Sequence, residues 1–186
     1  MNEVLKAMAE RYSCRSYTGE AVSEGDLKAI AKAALHAPSA MNLQPWKLIV
    51  ITDKALLEKM DAAAMEHFKN MPDQSMYQRF MERGGKLLYN APALYLILKN
   101  PNTASNWAEL DCGIMTQNIC LAAHSLGLDT VIVAMASIPF KTNLGEDFKK
   151  AVQWDVGYEF GMGVLVGKGD MKKDPHEVDW DKVRFL

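Results

Sequence analysis

The chain has 186 residues, 49% of them apolar, and sets 21 basic against 23 acidic side chains. That length and apolar share suit one domain, residues 1–186, with ample material for a core, and the near-even charge argues against recognition of nucleic acid or an anionic membrane by a broad field. No stretch approaches the roughly 20 uninterrupted apolar residues of a membrane span, and the amphipathic start MNEVLKAMAERY carries acidic residues unlike a signal peptide, so a cytoplasmic location is expected.

In chain order, Glu3 to Arg11 places Val4, Leu5 and Met8 on one helical face. A second helix after the cap Ser23 repeats Leu27, Ile30, Ala31 and Ala34 at helical spacing. Lys47 to Ile51 is a β-branched apolar run that predicts a strand, and Thr52 or Asp53 can cap the helix carrying Leu56, Met60 and Ala63. From Glu66 to Gly85 the chain is rich in Met, aromatic and charged residues and has no clean period. Ala93 to Lys99 predicts the second strand. Asn106 can cap a long helix in which Leu110, Ile114, Gln117 and Leu121 share a face until Gly127 ends it. Thr130 to Ala134 reads as a third strand, Pro139 suits a helix start, and Gly161 to Gly167 gives a fourth strand. The tail from Pro175 to Leu186 holds Val178, Trp180, Val183, Phe185 and Leu186, apolar enough to want a surface to cover, its own or a partner's. Four strands interleaved with helices imply an α+β or α/β layered domain. Cys14, Cys112 and Cys120 are odd in number and lack metal-ligand spacing, and all three read as thiols.

Two segments suggest chemistry. In Arg11-Tyr12-Ser13-Cys14-Arg15-Ser16-Tyr17, two guanidiniums and a hydroxyl alternate, so an extended backbone would turn Arg11, Ser13 and Arg15 toward one anionic ligand. The alternative is that basic residues here only complement the C-terminus of the first helix. In Ala37-Pro38-Ser39-Ala40-Met41-Asn42-Leu43-Gln44-Pro45-Trp46, two prolines stiffen a loop whose amides can both donate and accept, as the pyrimidine-like edge of a flavin or a base requires. The alternative there is a plain helix-to-strand connection with Trp46 in the core.

Taken together and in this order, the segments resemble the nitroreductase family, whose pattern is R-x-S-x-[RK]-x-[FY] near the N-terminus followed by P-S-x-x-N-x-Q-P-W. The likeness extends through Ala108-Glu-Leu-Asp111, Gln117-Asn118 and Leu126-Gly127-Leu128 to the glycine-rich last strand and the tail. It implies an α+β, three-layer domain, a central mixed β-sheet flanked by helices, with the C-terminal tail extending onto a dimer partner. It also implies FMN held at the interface of a homodimer. Arg11 and Ser13 match positions on the phosphate side, and Arg15 matches a basic residue against the N1–O2 edge of the isoalloxazine, where charge collects on reduction. Pro38 and Ser39 match positions that reach the flavin from the partner subunit, and Asn42 matches a pyrimidine-edge contact. Ile132, Val133 and Ala134 match the stretch whose backbone N–H approaches flavin N5, although Ala134-Met135 departs from the Glu-Gly of one branch. Lys172 and Lys173 occupy the place of basic phosphate residues, Lys173 being the better match.

The activity so implied is transfer of hydride from NADH or NADPH, bound transiently, to FMN, and then reduction of a small electron-poor acceptor such as a nitroaromatic or quinone at the same site. No side chain is required as an acid or base. The other readings are a flavin-binding or sensing dimer without turnover, and a specialised member of the family with a dedicated substrate. Gly161-Met-Gly163-Val-Leu-Val-Gly167 has the wrong spacing and position for a dinucleotide fingerprint, and reads instead as strand glycines that allow close backbone approach. His36, His67, His124 and His176 show no metal-binding pairing. Glu66 to Arg83 is either a helical hairpin packed on the core or a mobile, Met-rich wall over the flavin that sets acceptor choice.

Overall fold

The structure, a computed structural model, describes residues 2–186. Helix α1 (Glu3–Glu10) starts at Asn2, whose side chain accepts the N–H of Leu5, and α2 (Glu24–Leu35) starts at Ser23, which accepts from Asp26. Each side chain satisfies one of the N–H groups that a helix start leaves without a partner. Strand β1 (Trp46–Ile51) leads to α3 (Lys54–Lys69), and of the two candidate caps it is Asp53 that accepts the N–H of Leu56. The segment without a clear period divides at Met71 and Pro72 into the end of α3 and a second helix, α4 (Ser75–Met81). Then follow β2 (Ala93–Lys99), α5 (Ala108–Ser125), β3 (Asp129–Ile132), α6 (Gly145–Ala151) and β4 (Glu159–Gly167). Short 3-10 turns cover Ala40–Asn42, Ala134–Ser137, Pro139–Lys141 and Trp180–Lys182.

The four strands lie in the order β1-β2-β4-β3 and every pair is antiparallel. Of the expected mixed sheet, the parallel component is reduced to one isolated bridge, between Ser13 and Thr130. Strand β2 is apolar throughout and buried on both faces. Its alternation assigns Ala93, Tyr95 and Ile97 to a core shared with Ile30 and Ala34 of α2 and Met115 and Ile119 of α5. Leu94, Leu96 and Leu98 face the opposite core, with Leu57 and Met60 of α3, Phe80 of α4 and Phe148 of α6. The result is the expected α+β arrangement of helices, sheet and helices, in which period-two strand patterning serves two apolar faces at once.

Three expectations are corrected. Asn106 does not cap α5; the helix begins after Trp107, whose N–H donates to the Ser105 hydroxyl at 3.1 Å. The third strand stops at Ile132 rather than Ala134, because the chain coils into a 3-10 turn there. Pro139 opens only a 3-10 turn, and the α-helix of that region, α6, begins at Gly145, whereas α4 makes Glu66–Arg83 a helical hairpin, one of the two forms expected for it. The three cysteines are free and buried. In the tail, Val178, Trp180, Val183, Phe185 and Leu186 all stay exposed on their own chain. No helix among the described residues is long and apolar enough to cross a membrane.

Candidate functional site

Past α1 the backbone becomes extended at Arg11 and lies against β3, with the Cys14 N–H donating to the Thr130 carbonyl at 2.9 Å. The segment is held from its other side by residues 168–171. Asp170 N–H donates to Ser16 C=O at 2.9 Å, the Tyr12 hydroxyl donates to Met171 C=O at 2.6 Å, and the Arg15 N–H meets the Met171 sulfur at 3.3 Å. Alternation does the rest. Cys14 is fully buried, and Arg11, Ser13 and Arg15 are half-buried residues of the other parity. Burial, helped by the nearby Asp129 carboxylate, pushes the Tyr12 phenol up to about 12, and burial raises the Cys14 and Cys120 thiols as well. These groups therefore hold their protons at neutral pH and offer no nucleophile.

Arg11 stands out within this segment. Its Nε is buried without a hydrogen-bond partner among the described residues. Arg15 Nη1 donates to the Ser13 carbonyl at 3.4 Å. A buried guanidinium donor with nothing to receive it costs free energy, and an anion is the natural acceptor.

The second segment is a constrained loop. Met41, Asn42 and Gln44 all have left-handed backbone, at φ 52°, 55° and 47°. Such conformations are unfavourable for residues with a Cβ and persist only where surrounding contacts enforce them. Here the Ser39 hydroxyl accepts the Gln44 N–H at 2.9 Å, the Gln44 side chain donates to Asn42 Oδ1 at 3.0 Å, and the Ala40 N–H donates to Asp111 Oδ1 at 3.1 Å. Pro38 and Asn42 remain exposed, Ser39 is half-buried, and Trp46 is in the core, as the plain-connection alternative had it.

The third element is the end of β3. Ile132 and Ala134 are exposed, while Val133 is buried with its N–H donating to Gly163 C=O at 2.8 Å. Among the described residues no backbone carbonyl accepts the N–H of Ala134 or Met135, so two donors stand free beside each other where the turn begins.

Arg11, Ser13 and Arg15 are thus joined through Thr130 to the strand that ends at Ile132–Ala134. The Pro38–Asn42 loop is tied instead to the first turn of α5. Lys172 and Lys173 are exposed and line a groove of about 830 Å³ with Tyr12, His124, Asp129 and Asp170. That is the Tyr12 side of the segment, and neither lysine takes part in a hydrogen bond or ion pair among those described.

A cavity of about 1070 Å³ lies elsewhere. It is bounded by Glu66, His67, Met71 and Pro72 at the end of α3 and by Leu144 and Phe148 at α6; it takes in the start of the Glu66–Arg83 segment but none of the residues matched to flavin binding. The neighbouring α4 packs inward, with Phe80 stacked on Phe68 at 5.4 Å between ring centroids. Residues whose positioning role sequence reasoning missed are Asp111, Thr130 and Met171, whereas Gly163 is the close-approach strand glycine expected, since a Cβ there would stand 3.0 Å from the Val133 carbonyl oxygen. Only the acidic first turn of α5 offered a signal for any of them.

The model of the nitroreductase family matches residues 8–168. A protein of Archaeoglobus fulgidus, provisionally named NADH dehydrogenase/NAD(P)H nitroreductase, is 35% identical over 135 residues, 70% of this chain and 67% of that one. FMN reductase (NAD(P)H) of Bacillus subtilis is 30% identical over 133 residues, 70% of this chain and 53% of that one, so the match spans about half of that relative's length. The crystal structure of a nitroreductase with bound FMN from Desulfitobacterium hafniense is 42% identical, covers 100% of this chain and 99% of its own, and has a TM-score of 0.94. A nitroreductase with bound FMN from Bacteroides fragilis, at 23% identity, 100% coverage of both chains and a TM-score of 0.85, shares the fold.

Proposed function

The chain belongs to the nitroreductase family, and from that premise we propose that it is an FMN-dependent oxidoreductase that takes hydride from NADH or NADPH and reduces a small electron-poor acceptor. The observation that carries the reading is the buried, unpartnered Nε of Arg11 beside Ser13, a donor set built for an anionic group such as the FMN phosphate. Arg15 supplies a fixed positive charge suited to a ring system that gains negative charge on reduction. The free N–H groups of Ala134 and Met135 offer backbone donors to a heteroatom of that ring, and a backbone donor needs no particular side chain. Lys172 and Lys173, exposed on the Tyr12 side of the segment, are proposed to add positive charge that reaches the phosphate from there. When bound, FMN supplies hydride acceptance and release, and this chain supplies binding, orientation and electrostatics. Donor and acceptor take turns at the same site, and no protein acid or base is assigned.

Pro38, Ser39 and Asn42 are assigned to the flavin of a second copy. Their loop is tied to the first turn of α5, whereas the Arg11–Arg15 segment is tied to β3, which favours a shared site, and the exposed apolar tail offers surface for such a partner. The proposal therefore includes a homodimer of one-domain protomers with a cytoplasmic location. The hairpin around α4 is proposed to border the site and to bias the choice of acceptor.

The test is anaerobic mixing of FMN-loaded protein with NADH and with NADPH. Bleaching of the yellow absorbance by either, and its return when a quinone or nitroaromatic is added, is the expected result. A flavin that stays oxidised with both donors would reduce the protein to a binding module. Light scattering of the loaded protein should give the mass of two chains, and a monomeric loaded species would overturn the shared site.

A further inference from the structure

Asp111 lies in the first turn of α5, is 2% exposed, and engages only one of its carboxylate oxygens: Oδ1 accepts the Ala40 N–H at 3.1 Å, whereas Oδ2 is buried without a partner among the described residues. No ion pair to Asp111 is recorded among the described residues. A carboxylate so placed is a costly side chain to keep unless its one hydrogen bond accomplishes something an apolar residue would not. What it holds is the single N–H of the Ser39–Gln44 loop that is tied to another element. The loop's other hydrogen bonds are local, joining Ser39 to Asn42 and Gln44, Ala40 to Leu43, Gln44 to Asn42, and the Gln44 carbonyl to the N–H of Trp46 where β1 begins, and three of its residues are left-handed, a strain that must be restrained from outside.

From this geometry we infer that Asp111 is a positioning residue, a latch from α5 that keeps the Pro38–Gln44 loop in the conformation that presents Ser39 and Asn42 to FMN. The inference rests on the flavin reading given above. The charged acceptor makes the latch stronger than a neutral one. The empty lone pairs of Oδ2 leave the carboxylate no competing tie that would draw it from Ala40. Asp111 itself touches no cofactor in this arrangement and acts through the loop.

Asp111→Ala removes the acceptor and orphans the Ala40 N–H, whereas Asp111→Asn keeps an oxygen that can turn toward it. The measurements are FMN affinity by fluorescence titration and hydrogen exchange of the Ala40 amide in the FMN-free protein. The expected result for Asp111→Ala is FMN binding weakened about tenfold, the effect of losing one charge-assisted contact, together with faster Ala40 exchange. The Asn variant should stay within about threefold of the unaltered chain on both measures. A change in melting temperature alone, with Ala40 exchange and FMN affinity unmoved, would make Asp111 a structural residue and overturn the inference. Equal losses in the Ala and Asn variants would overturn it too, since charge and not the hydrogen bond would then be at work. Asp111→Ser, too short to reach Ala40, carries the same expectations if the Ala variant does not fold. If the unaltered chain binds no FMN, the flavin reading fails by itself, and the exchange of Ala40 still decides the latch.

Discussion

The carbonyl of Gly163 accepts the N–H of Val133 at 2.8 Å, and a Cβ at Gly163 would stand 2.7 Å from that of Ala136 and 3.0 Å from the Val133 carbonyl oxygen. The absence of a side chain in the middle of β4 is what allows the 3-10 turn Ala134–Ser137 to sit against the sheet. Gly163→Ala should cost about 1–3 kcal/mol through overpacking and displace that turn, weakening FMN retention more than general stability would explain. Urea unfolding and an FMN titration on the same variant check both parts. Wild-type values in each would show that the turn can yield without consequence.

Arg11→Ala separates the two meanings of a basic residue at the end of α1. If the guanidinium serves an anionic ligand, its loss removes a contact worth roughly 1.5–3 kcal/mol and weakens FMN by about 10- to 100-fold. The melting temperature of the FMN-free protein should hardly move, because the buried Nε has no partner to lose. A residue that only complemented the helix dipole would give the reverse pattern, a lower melting temperature with FMN affinity intact.

Asp61 links the fold to pH. It is buried on α3, accepts the Leu88 N–H at 2.7 Å, and burial pushes its carboxyl up to about 6 from the ordinary value of 3.8, against the opposing pull of that hydrogen bond and of Lys86. The folded state therefore binds this proton more tightly than the unfolded chain does. Its contribution favours folding most below about pH 4 and is lost as pH rises through 6, a change on the order of 3 kcal/mol. Asp61→Asn should flatten that part of the stability profile while keeping an acceptor for Leu88. Unfolding free energies of the two proteins between pH 4 and 7 provide the check, and parallel profiles would remove Asp61 as the cause.

Phe80 is the anchor of the α3–α4 hairpin, 1% exposed and stacked on Phe68, whereas Met81 beside it is 52% exposed. Phe80→Ala should cost about 3–5 kcal/mol as a cavity opens in the core. Met81→Ala should stay within about 0.5 kcal/mol. Should Met81→Ala nevertheless change the preference among quinone and nitroaromatic acceptors, the bordering role proposed for the hairpin gains direct support.

The sequence alone determined a good deal. Strand β2 was legible to the residue because an apolar run bounded by Pro92 and Asn100 has few alternatives, and α2 and α3 were legible from Ser23 and Asp53, whose capping is a local interaction. The two motif segments stood out because they carry residue types, paired guanidiniums and clustered amides, that a core does not need. Only the tertiary structure decided the direction of the strands, since pairing β2 with β4 is a non-local choice that leaves no trace in period-two patterning. It likewise decided that β3 ends at Ile132, where Gly163 admits the turn, and that the Pro38–Gln44 loop is tied to the first turn of α5. The Asp111 latch on Ala40 spans 71 positions, and a hydrogen bond between residues so distant is set by packing and not by anything either neighbourhood spells out.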